Sequence, residues 1–303
     1  YQRWKNSFDQ FRRCDPGRKR KIRRRSVQGG VQMLGKVFKH EMKSTSRLFL
    51  PLMIGFIAIT LLCKFTFETS YSAILGNNRL METITVIFFV LYFIYIIALF
   101  VMTSVFIVMH FYKTMVSDQG YLTNTLPVKM STLINAKLLS AVLWEIIAGV
   151  LFILSIFIFF TGHLNFKLTD LQQLLRDFGN LYREASNYLN MPIFLIEVTI
   201  TCIAGLISGP LMLYAAIALG HLFRKHRVLW AIISYFVIYV VMQIISSVYF
   251  SICGYSSPLI SNSEYAVQTV KNYMLFTTIF SVACTAGFYA ITDYIFTRKL
   301  NLE

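Results

Sequence analysis

Three acidic side chains stand inside long apolar runs of this chain: Glu145, Glu197 and Asp293. A carboxylate in hydrocarbon is costly, so such a residue marks an ion or proton route by default, or is satisfied by a structural hydrogen bond. Glu145 falls two turns into its run and is the stronger candidate for linking a motion to the surrounding helices. Glu197 lies one turn into its run, shallow enough to meet headgroups or water. Asp293 has Arg298 and Lys299 close by as partners. Gly205, Gly209 and Pro210 form a second group, in which small residues allow close helix approach and proline bends the helix. Hinge and simple packing are both open readings of it.

Enzymatic motifs are missing from the chain. It contains no G-x-x-x-x-G-K-[ST], no H-E-x-x-H and no G-x-S-x-G. Without the first, nucleotide phosphates have no P-loop cradle; without the others, neither a zinc protease nor an acyl-transfer serine is indicated. His40, His110, His163, His221 and His226 are dispersed, mostly near the ends of apolar runs, and read as interfacial residues rather than metal ligands. Cys14, Cys63, Cys202, Cys253 and Cys284 are odd in number and form no C-x-x-C pair, so neither a zinc site nor a disulfide framework is implied. The expectation is a protein with no catalytic residues, metal or cofactor of its own.

The elements that must position the charged residues are six apolar stretches, near 48–67, 84–111, 138–160, 193–219, 228–253 and 273–292. A hydrocarbon core of about 30 Å needs roughly 20 apolar residues of helix. Backbone groups in lipid must be satisfied within the segment, so each stretch is predicted to be a helix. Hydrophobic residues make up 56% of the chain and charged ones 14%, which excludes an ordinary soluble domain, where about a quarter is charged. The fold class is an all-α membrane protein with six transmembrane helices. Of the 29 Lys and Arg, 23 lie in residues 1–47, the links 112–137 and 220–227, and the tail, against 6 in the other links. The positive-inside rule then places both termini in the cytoplasm, as an even number of spans requires.

Residues 1–32, with the run Arg18 to Arg25, lack apolar periodicity. They read as a basic, disordered tail or as sequence upstream of a start at Met33, with no nucleic-acid role, ahead of a six-helix transmembrane domain at 33–303. In 33–47, Leu34, Val37, Phe38 and Met42 share one face among basic residues, the pattern of an N-terminal amphipathic helix lying in the membrane interface. Pro51 is expected in the first turns of the span that follows. The link 161–191 holds a second amphipathic helix, opened by Thr169 and Gln172 as a capping box, which rests on the membrane or receives a substrate. The link 112–137 has Ser131 as a plausible cap and carries Tyr121, Leu122 and Leu126 with no core of their own to fill. Such a loop wants a protein partner, or tucks back against the bundle.

That loop also carries a family resemblance. Asp118-Gln119-Gly120-Tyr121-Leu122-Thr123, then Thr125-Leu126-Pro127-Val128 and Ser131-Thr132, resembles the first cytoplasmic loop of bacterial, Firmicutes-type, type-2 ATP-binding-cassette (ABC) exporter permeases. Met33-Leu34-Gly35-Lys36, Phe38-Lys39-His40-Glu41-Met42-Lys43 and Phe49-Leu50-Pro51-Leu52 resemble the opening of such proteins, and Arg298-Lys299-Leu300-Asn301-Leu302-Glu303 their ending. The resemblance covers 33–303. It implies a cell-membrane subunit that moves an amphipathic peptide, antibiotic or lipid. It also implies a second permease subunit, identical or related, and a separate ATPase subunit that binds ATP and Mg. Asp118, Gly120, Tyr121, Leu122, Leu126 and Pro127 would form the coupling loop to that ATPase. A non-transporting membrane sensor or scaffold, and an intramembrane enzyme using Glu145, Glu197 or Asp293, are the alternatives.

Overall fold

A computed structural model describes residues 16–74, 79–116, 130–163, 168–223, 225–255 and 263–298. They form α1 (Pro16–Ile74), α2 (Arg79–Met115), α3 (Met130–His163), α4 (Leu168–Ser186), α5 (Met191–Gly220), α6 (Arg227–Tyr255) and α7 (Ser263–Arg298). No strand occurs among the described residues. Six of these helices, all but α4, contain stretches long and apolar enough to cross a membrane. The protein is an all-α, multi-pass membrane protein.

Residues 33–47 are helical, as expected, and run unbroken into the first span as one helix, with Pro51 inside it rather than in its first turns. The cause is the stripe Glu41, Thr45, Phe49, Met53, Phe56, Thr60 and Cys63, all buried, whose spacing of three and four keeps one face of α1 turned inward past Pro51. α3 is already helical at Met130, so Ser131 lies inside it rather than before it. The second amphipathic helix is present as α4, with Leu175, Phe178, Leu181 and Tyr182 exposed. It is already helical at Leu168, so Thr169, the expected cap, lies inside it, and Gln172 is exposed.

The bundle is built from two triplets. α1 packs between α2 and α3, and α5 packs between α6 and α7, while α3 and α2 meet α5 across the seam. In lipid no hydrophobic force drives helix to helix, so close packing and hydrogen bonds must do it. On α5 the buried run Ala215, Ala216, Ile217, Ala218 and Gly220 supplies small residues for that approach. The seam is closed at one end by aromatic rings: Phe111 of α2 stacks on Tyr214 of α5 at 3.8 Å and meets Phe296 of α7 edge-on at 5.5 Å. α6 is peripheral, with large apolar side chains such as Phe236, Val240 and Ile244 facing outward, as lipid contact requires.

Two glycines are fixed by close approach rather than by turns. At Gly55 a Cβ would collide with the Tyr95 hydroxyl, which donates to the Leu52 carbonyl at 3.2 Å. At Gly220 a Cβ would come within 2.6 Å of Ala231 Cα, on α6. Substituting Gly220→Val should therefore push α5 and α6 apart and lower stability by about 1–3 kcal/mol, the usual cost of overpacking. Gly287→Ala, where a Cβ meets nothing within 4 Å, is the control and should leave the melting temperature in detergent unchanged or slightly raised.

Candidate functional site

Glu41, His110 and Lys137 meet at the end of the bundle where α2 finishes and α3 begins. Glu41 comes from α1, His110 from α2 and Lys137 from α3, and Glu41 and Lys137 are both buried. Lys137 Nζ donates to Glu41 Oε1 at 2.6 Å, and His110 Nε2 is hydrogen-bonded to Glu41 Oε2. Lys137 Nζ also donates to Thr114 Oγ1 at 2.7 Å, and that hydroxyl in turn donates to the His110 carbonyl at 2.6 Å. One helix face thus supplies the imidazole and, one turn on, the hydroxyl, because residues four apart share a face.

A second layer supports the first. Thr45, one turn beyond Glu41, donates to the Glu41 carbonyl at 2.9 Å and accepts from Trp144 Nε1 at 3.0 Å. The Trp144 ring lies flat on Phe49 at 4.7 Å. Tyr214 of α5 donates to the Lys137 carbonyl at 3.4 Å, tying the second triplet to the cluster. Each Glu41 oxygen has a cationic or polar partner, so the arrangement works as a clamp on three helices. Charges at such a position are tolerable only when paired in this way.

The acids singled out in the sequence behave differently. Glu145 is half-buried on α3, about 12 Å along the helix from Lys137 at 1.5 Å per residue. Its carboxylate makes no hydrogen bond or ion pair among the described residues and faces α5, where a Cβ on Gly209 would lie 3.7 Å from Oε1. Glu145 and Gly209 are thereby brought together across the seam between the triplets. Pro210 is fully buried beside them, and α5 runs unbroken through it. Gly205 is exposed with open space around it, so helix packing does not require it. Glu197 is half-buried at the far end of α5; its carbonyl is 3.5 Å from the Thr278 hydroxyl, and Thr201 pairs with Thr278 at 2.8 Å. Asp293 Oδ1 is buried with no hydrogen-bond partner among the described residues, while the side chains of Arg298 and Lys299 lie outside them. Asp118, Gly120, Tyr121, Leu122, Leu126 and Pro127 also lie outside the described residues. No group of three metal-ligating side chains occurs among the described residues.

Sequence reasoning missed the cluster itself. His110, near the end of α2, is half-buried against Glu41, and Lys137, read from the sequence as part of the 112–137 link, sits within α3 on the inward stripe Ile134, Lys137, Ala141, Trp144, Ala148. The signal was present, since an acid on the stripe of α1 and a base on the stripe of α3 each need a partner at depth.

Comparison with known proteins returns nothing: no family model matches the chain, and no curated protein or solved structure matches it significantly.

The two carboxylates should respond oppositely to neutralisation. Glu41→Gln leaves the Lys137 ammonium buried without a countercharge and should destabilise the bundle by about 3–5 kcal/mol. Glu145→Gln removes a carboxylate without a partner among the described residues and should leave stability equal or higher. Thermal unfolding of both variants in the same detergent reads the difference.

Proposed function

We propose that this protein is the membrane-spanning permease subunit of an ABC exporter, with residues 117–129 as the loop that receives motion from a separate ATPase subunit. The observation that carries the reading is how the loop's two roots are held. On one side Met115 is buried and Val116 N–H donates to the Tyr112 carbonyl at 3.0 Å. On the other, Leu133, Ile134 and Lys137 are buried within two turns of the loop. Both roots are joined to α1 through Glu41. A push on the loop would move α1, α2 and α3 as a body, the rigid-body kind of switch.

In this reading the termini and the loop lie on the cytoplasmic side of the cell membrane, where Lys and Arg concentrate. ATP and Mg belong to the ATPase subunit, a second permease subunit completes the pathway, and the cargo is an amphipathic peptide, antibiotic or lipid. The seam where Glu145 faces Gly209 is the place where the triplets would rock against each other. The chain itself acts without catalysis.

Replacing both Tyr121 and Leu122 with Asp should abolish docking of the ATPase, because unpaired charge would enter a desolvated contact at a cost of several kcal/mol. Membrane insertion should persist, since the spans carry the hydrophobic signal. Recovery of a P-loop ATPase on the tagged wild-type protein and its loss from the double variant is the expected result. Equal recovery from both, or none from either, would contradict the assignment.

A further inference from the structure

We infer that the cleft between α2, α5 and α6 is a binding site for an anionic phospholipid, with one acyl chain in the cleft and the phosphate at Lys113 and Arg227. The cleft encloses about 310 Å³ and is walled by Met109 and Tyr112 of α2, Ile217 of α5, and Ala231, Ile232 and Tyr235 of α6, among others. Apart from the two tyrosine rings its wall is apolar. Met109 and Ile232 are exposed, so it opens sideways to the surrounding lipid rather than inward to the seam. Peptide or sugar would find only the two tyrosine hydroxyls to meet along such a wall; a hydrocarbon chain needs none.

What selects the headgroup is charge at one end of the cleft. Lys113 follows Met109 by four residues and Arg227 precedes Ala231 by four, so each cation lies one turn beyond a cleft-lining residue on the same helix face. They lie at the same end of the bundle, because Tyr112 stacks on His221 at 5.7 Å, just before α6 begins. Arg227 acts on His221 directly: burial, reinforced by the Arg227 charge, pushes the imidazole down to about 4. His221 is therefore neutral near pH 7 and adds no charge of its own, while Arg227 sits close to its ring.

Lys113, Lys225 and Arg227 are exposed and make no ion pair among the described residues. Residues 83–117 and 198–263, which hold these cations, contain neither Asp nor Glu. Basic pockets between spans at the membrane surface suit anionic headgroups, and each Lys or Arg adds attraction there. Positive charge of this density at the mouth of an apolar cleft favours phosphatidylglycerol-type lipid over zwitterionic lipid.

Native mass spectrometry of the delipidated protein in detergent, titrated with phosphatidylglycerol or phosphatidylcholine, tests the site. The expected result is one phosphatidylglycerol retained under collision energies that strip phosphatidylcholine. Lys113→Gln with Arg227→Gln should weaken that adduct about tenfold or more. Ile232→Trp, at an exposed position that tolerates bulk, should weaken it by filling the cleft. Arg176→Gln with Arg183→Gln, on exposed α4, is the charge control and should change nothing. Retention of phosphatidylglycerol by both cleft variants as in the wild type would overturn the proposal, as would equal loss in the α4 control. Glycerol phosphate competing as well as the intact lipid would show a headgroup site without a chain in the cleft, and would overturn it too.

Discussion

A carboxylate buried at the end of a membrane bundle must be answered by a cation, and Glu41 is answered by Lys137 and His110. The rest of the structure is arranged around that requirement. It holds one face of the amphipathic segment before span one against the bundle, within a 59-residue helix. It fixes the ends of α2 and α3 relative to α1. Through the Tyr214 contact to the Lys137 carbonyl, it also sets where the second triplet docks. Removing a charge from this point is expensive, whereas replacing a well-packed apolar contact elsewhere in the bundle is comparatively cheap.

The two kinds of buried acid separate structure from motion. Glu41 is held on both oxygens and gives rigidity. Glu145, two turns deeper on α3, has no described partner and looks across the seam at Gly209, where the opposing helix has no side chain to crowd it. In the proposed coupling from a cytoplasmic ATPase to an export pathway, the bundle would pivot about the end that Glu41 holds.

Much of the fold was legible because lipid simplifies the code: length and apolarity alone locate the six spans, and the hydrophobic face of α4 follows from its spacing. The site was less legible. Glu41 sits among basic residues in a stretch that looks interfacial, and only its four-residue spacing to Thr45 and Phe49 shows that it faces inward. Lys137 precedes a long apolar run and is easily read as a loop charge. His110 carries no local signal, because its role depends on a carboxylate 69 residues earlier. Such pairings are set by tertiary packing, which periodicity within one helix does not encode. Gly205 shows the reverse case: a small residue beside Gly209 and Pro210 reads as a packing position, yet open space surrounds it.

The claim that α1 and α3 are locked together at the roots of the 117–129 loop is tested most directly by cross-linking in native membranes. Thr45 Oγ1 and Ser140 Oγ are 3.5 Å apart. Cysteines at these two positions, in a background without the native cysteines, should form an intramolecular disulfide rapidly on mild oxidation, and Glu41→Gln should slow its formation markedly. Absence of that cross-link, while a Thr201→Cys and Thr278→Cys pair between α5 and α7 forms one, would contradict the account.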